Sequence, residues 1–108
     1  MTVLIYTQDW DKGLTKLQEL VGQQALLGNY YTYRTHNEYQ LSVYFENMLL
    51  IKLIFCQESF SCRGLKYHEA WIDSNLSNDF IQQWILPAGA GHWNPDLQTI
   101  SKGKEFYF

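Results

Sequence analysis

One stretch constrains this chain more than any other, residues 38 to 56, EYQLSVYFENMLLIKLIFC. Tyr39, Leu41, Val43 and Phe45 alternate with Gln40, Ser42, Tyr44 and Glu46, the period of two that marks a half-buried strand. Residues 49 to 56 are apolar at every position but Lys52, so they read as a strand covered on both sides. The pair makes a hairpin. With residues 46 to 48 as its loop, Phe45 falls opposite Leu49, Val43 opposite Ile51 and Leu41 opposite Leu53, a uniformly apolar face. A three-residue loop favours Gly or Asn in its left-handed position, and here that place falls to Met48; a bulge moving Asn47 into it is the expected remedy.

Residues 30 to 35, YYTYRT, read as a preceding strand, with His36-Asn37 as the turn. A loop at 36 to 38 sets Tyr33 opposite Leu41 and Tyr31 opposite Val43. Upstream, VLIY at residues 3 to 6 is a short β-prone segment. Residues 8 to 28 carry Leu14, Leu17, Leu20 and Val21 on one helical stripe, with Asp9 or Asp11 as N-cap, Gly22 as a possible interruption and Gly28-Asn29 as the stop. Downstream, 57 to 64 reads as a loop. A fourth strand at 65 to 72 places Leu65, Tyr67, Glu69 and Trp71 on one side, with a helical reading of 65 to 86 as the alternative. A helix at 75 to 86 is capped by Ser77, Asn78 or Asp79 and ended by Pro87. Residues 88 to 95 read as a loop, 97 to 100 as a short strand, and 102 to 108 as a tail whose FYF end docks on its own domain or on a neighbour.

The expected fold is therefore α+β, one domain over residues 1–108. It is an antiparallel β-meander of three to five strands with an N-terminal amphipathic helix and a shorter C-terminal helix. At 108 residues with a hydrophobic share of 46%, such a chain buries a sufficient core without disulfides or a structural metal.

Charge and motif content exclude more than they assign. The net charge is −3, and the closest basic pairs, Arg63 with Lys66 and Lys102 with Lys104, do not form the stripe that a phosphate backbone requires. Nucleic acid is disfavoured, although Tyr30, Tyr31 and Tyr33 could stack bases beside Arg34. The N-terminus lacks the pattern of a signal peptide and no apolar run is long enough to span a membrane, so a cytoplasmic location with reduced Cys56 and Cys62 is expected. His36, His68, His92 and the two cysteines show no metal-ligand spacing, and no cofactor motif is present. The run AGAGHWNP resembles the histidine-bearing loop of copper-zinc superoxide dismutases over residues 88 to 95 only. That family's further histidine ligands and disulfide have no counterpart here, so nothing is carried over.

Two kinds of function remain. Aromatic residues make up 17% of the chain, and such side chains anchor protein interfaces. A face carrying Tyr44, Leu50, Ile54 and Cys56 beside Gln40, Ser42 and Lys52 is a candidate surface for self-association or a protein partner, unless the chain's own C-terminal part covers it. The expected activity is thus a non-catalytic binding or regulatory protein of the inhibitor or immunity type, with Tyr44, Lys52, Trp71, Trp93, Phe106 and Phe108 as contact residues. The enzyme alternative takes Cys62, beside Arg63, as nucleophile, His92 as base and Asn94 or Asp96 as orienter.

Overall fold

The segment TVLIYT forms β1 (Thr2–Thr7), and its side chains from Val3 onward are buried. A strand that is apolar on both faces needs a neighbour on each side and a covering layer above and below. The computed structural model supplies all four. It describes residues 1–37, 39–56, 65–89, 92–94 and 99–108, with the main chain alone for 92–94 and 99–101. After β1 come α1 (Trp10–Leu26), β2 (Tyr31–His36), β3 (Gln40–Phe45), β4 (Leu50–Phe55) and β5 (Glu69–Ile72). A short α2 (Asn78–Phe80) continues as a π turn (Ile81–Ile85) and a 3-10 turn (Leu86–Gly89), followed by β6 (His92–Asn94), β7 (Thr99–Ser101) and β8 (Lys104–Tyr107).

The fold is α+β, but its sheet is mixed. Six strands lie in the order β2-β3-β4-β1-β5-β8. The meander holds for β2, β3 and β4, which are antiparallel. The chain then departs from it: β1 runs parallel to both β4 and β5, and β8 parallel to β5. The reason is the burial demand of VLIY, which only the middle of a sheet meets. Val3 and Ile5 point to the face covered by α1, with Leu17, Leu20, Leu41, Val43, Phe45, Ile51 and Leu53. Leu4 and Tyr6 point to the other face, where Ile54, Cys56, Tyr67, Ile72, Leu76, Ile81 and Ile85 pack. The second helical segment therefore covers the Ile54 and Cys56 part of the candidate surface, the alternative in which the chain's own C-terminal part covers it, while Gln40, Tyr44, Leu50 and Lys52 stay half-buried.

Local chemistry explains the element ends. The Asp9 side chain accepts from the Lys12 amide and starts α1, and Gly28 leaves it at φ 82°; Gly22 does not interrupt it. A methyl group on Gly13 would come within 2.6 Å of Leu53 Cδ1, so glycine lets α1 approach the sheet there. The β3–β4 register is the expected one, with Val43 opposite Ile51 and Leu41 opposite Leu53. Met48 itself takes the left-handed position at φ 68°. Asn47 stays outside it, because its Oδ1 accepts the Leu49 amide and braces the turn.

The β2–β3 register differs from expectation. Asn37 Oδ1 accepts the amides of Tyr39 and Gln40, which tightens the turn and sets His36, not Tyr33, opposite Leu41. Arg34 falls opposite Val43, and a bulge between Tyr31 and Tyr33 puts Tyr31 opposite Phe45 and Tyr33 opposite Tyr44. The bulge turns the two tyrosines to opposite faces.

Three further expectations change, and the docking of the tail falls to the first of its two alternatives. The strand at β5 spans only Glu69–Ile72, since His68 Nδ1 instead accepts the Thr2 amide. Pro87 does not end the second helix: the π turn closes at Leu86, whose amide reaches Ile81 O, and the 3-10 turn does not depend on the missing Pro87 N–H. Residues 92–94 are a strand paired with 99–101, not a loop. The aromatic tail is the edge strand β8, docked on its own sheet.

Candidate functional site

Three regions gather polar or exposed groups. The first is at the carboxyl ends of β1 and β5, the end at which open α/β sheets usually bind ligands. Thr7 closes β1 and Asp73 follows β5, so parallel pairing sets them side by side. Asp73 is fully buried. Its Oδ2 accepts from the Thr7 hydroxyl at 2.8 Å, and its Oδ1 from Lys12 Nζ at 2.7 Å and the Asn75 amide at 2.9 Å. Lys12 Nζ also donates to the main-chain oxygen of Phe108 at 3.1 Å. Burial alone would push the Asp73 carboxyl up, but the hydrogen bonds from Lys12, Asn75 and Thr7, with the Lys12 charge, outweigh it and hold the carboxyl below its usual range. Both oxygens are occupied, and no face of the carboxylate is open to a ligand. Its work is to tie α1, the loop after β5 and the end of β8 into one knot.

The second region is a cleft of about 330 Å³ at the amino ends of the parallel strands, where Val3, Leu20, Ile51 and Trp71 meet Gln24 and Glu69. Trp71 stacks on Phe106 with centroids 4.7 Å apart, and Lys16 Nζ lies 4.6 Å from its ring. Its indole Nε1 is buried without a hydrogen-bond partner among the described residues. Because that atom has no accessible surface, a molecule in the cleft could not reach it.

The third region is the β2 edge. All six residues of β2 are exposed, and Leu26, Leu27 and Tyr30, just before it in the chain, are exposed as well. Tyr31 and Arg34 form one wall of a second groove of about 330 Å³. Leu14, Leu17, Gln18, Val21 and Gly22 of α1 form the other wall, and Leu41 and Val43 of β3 the floor. At the far end of β2, Trp10 stacks on His36 and meets Phe55 edge-on, which fixes the strand against the first turn of α1.

The residues singled out from sequence are divided by the sheet. Tyr44 and Lys52 lie on the face away from α1, with Tyr44 against the Tyr33 ring at 5.1 Å and Lys52 opposite Ser42. Trp71, Phe106 and Phe108 gather on the α1 face, where Lys12 and Lys16 approach the Phe108 ring. Cys62 and Asp96 lie outside the described residues, as do the side chains of His92, Trp93 and Asn94, so no distance bears on the Cys62–His92 pair. His36 and His68 are engaged with Trp10 and Thr2 respectively. Among the described residues no three His, Cys, Asp or Glu side chains are grouped to hold a metal ion, and no helix is long and apolar enough to cross a membrane.

Sequence reasoning weighed Arg34 only as the lone charge beside Tyr30, Tyr31 and Tyr33, and missed the groove beside it. The available signal was that YTYRTH has no apolar face of its own, which is the composition of an edge strand. Asp73 carried a signal too, as an acid directly following the apolar end of a strand. Comparison of the chain with protein-family models, with curated proteins and with solved structures gives no match.

Proposed function

We propose that the chain is a non-catalytic protein-binding module that receives its partner on the β2 edge and the groove between β2 and α1. One observation carries this reading: a six-residue strand at the edge of the sheet exposes every side chain, two tyrosines among them. Edge strands offer unpaired main-chain groups and are commonly blunted by charge, proline or shortness. The opposite edge, β8, has only four residues and carries Lys104 and Glu105. β2 is longer and has no proline; its one charge is Arg34, and past the bulge near Tyr31 its regular part runs from Tyr33 to His36. An extended segment added there would gain main-chain hydrogen bonds, with side chains reaching into the groove.

The test is photo-crosslinking in cells. A photoreactive residue in place of Tyr31 or Thr35 should give discrete polypeptide adducts, and one at Lys104 on β8 should not. Equal labelling from both edges, or none from β2, would remove the proposal.

A further inference from the structure

Resting on the protein-binding reading above, we infer that the occupant of the α1–β2 groove is an acidic, extended polypeptide segment, which sets one large apolar side chain over Gly22 and a neighbouring carboxylate on Arg34. Two independent features of the groove support it.

The first is Gly22. A glycine inside a helix costs about 1 kcal/mol relative to alanine, so a packing reason is usually found for it. At Gly13 that reason is the contact with Thr7 and Leu53. At Gly22 none is found among the described residues: a Cβ there would meet none of their atoms within 4 Å, and the backbone is ordinary helix. What the missing side chain does is open the helix wall of the groove, between Gln18 and Val21, onto the apolar floor of Leu41 and Val43. The space suits one large apolar side chain.

The second is charge. Arg34 is exposed on the face that lines the groove, and its guanidinium has no ion pair or hydrogen bond among the described residues. No carboxylate stands among the described residues that line the groove. Among the described residues the two lysines of α1 are engaged, Lys12 with Asp73 and Lys16 with Glu19. An unpaired guanidinium at the mouth of an apolar groove presents a planar fork of donors, which a carboxylate matches with two parallel hydrogen bonds. A basic segment would place like charge against Arg34. A second copy of the chain, at net charge −3, would bring β2 with its own Arg34 and no carboxylate.

The experiment selects a phage-displayed library of random dodecapeptides on the purified protein, with Arg34→Glu and Gly22→Leu as parallel baits whose melting temperatures are checked first. The expected winners carry Asp or Glu beside a large apolar residue. A synthetic peptide of the consensus should bind about tenfold more weakly to Arg34→Ala. It should lose binding to Gly22→Leu and weaken as salt is raised, and replacing its acid by Lys should restore binding to Arg34→Glu. Peptides that Gly22→Leu abolishes but that show no acidic preference would overturn the inference and leave the protein-binding reading standing. If no selected peptide depends on Gly22 or Arg34, both fall. A dimer in light scattering that Gly22→Leu dissolves would make the occupant a second copy and overturn the inference.

Discussion

Strands β1 and β2 are the two that α1 joins, and each has six residues, yet they are opposites. From Val3 onward β1 is buried, and its side chains divide between the two cores. β2 is exposed from end to end and contributes no residue to either core. The same helix serves both, since its Leu17 and Leu20 pack toward β1 while its Gly22 side leaves the groove beside β2 open. Stability is concentrated in the middle of the sheet, and the β2 edge contributes little to it. Substitutions should therefore separate along this line.

The largest effect is expected at the centre. Ile5→Ala removes a fully buried side chain from β1 and should cost about 4 kcal/mol in urea unfolding; a loss under 1 kcal/mol would mean that β1 is not the core strand. Next is the knot that closes the carboxyl ends of β1 and β5. Lys12→Ala leaves the buried Asp73 without its cation and should cost about 3 kcal/mol.

The same carboxyl gives a pH signature. Its pKa is lowered in the folded state, so the folded protein binds fewer protons at Asp73 than the unfolded chain as pH falls. The contribution is complete above the unfolded value of about 3.9 and is lost as pH falls through the lowered folded value. Urea titrations from pH 7 to pH 3 should therefore show the stability gap between wild type and Asp73→Asn narrowing toward acid. A gap that stays constant or widens would contradict the assigned interactions.

Smaller effects test the helix and then the edge. Gly13→Ala presses a methyl against Thr7 and Leu53 and should destabilise by about 1 to 2 kcal/mol. Gly22→Ala meets open space and should stabilise by about 0.5 to 1 kcal/mol. The two glycines of one helix thus move the melting temperature in opposite directions. Arg34→Ala on β2 should change stability by less than about 0.5 kcal/mol, and a larger loss would mean that the edge is structural.

The periodicity of residues 38 to 56 determined the β3–β4 hairpin and its register, because a slip of one residue would have turned Leu41 and Val43 to the wrong face. The stripe of leucines determined α1 in the same way, with its cap left between Asp9 and Asp11. Those are local facts, in which each residue's partners lie within a turn or one strand away. The sequence also marked VLIY as a strand and the FYF end as docked, without saying where. Only the tertiary structure decided that β1 enters between β4 and β5, since parallel pairing joins residues 48 apart in the chain for β4 and 66 apart for β5 and leaves no short-range pattern. It also decided that Asn37 would tighten its turn and that a bulge would send Tyr31 and Tyr33 to opposite faces. The meeting of Asp73, Thr7 and Lys12, and the opening of a groove by Gly22 and Arg34, depend on that packing. Partners so distant in sequence are chosen by burial across the whole sheet, which no window of the chain contains.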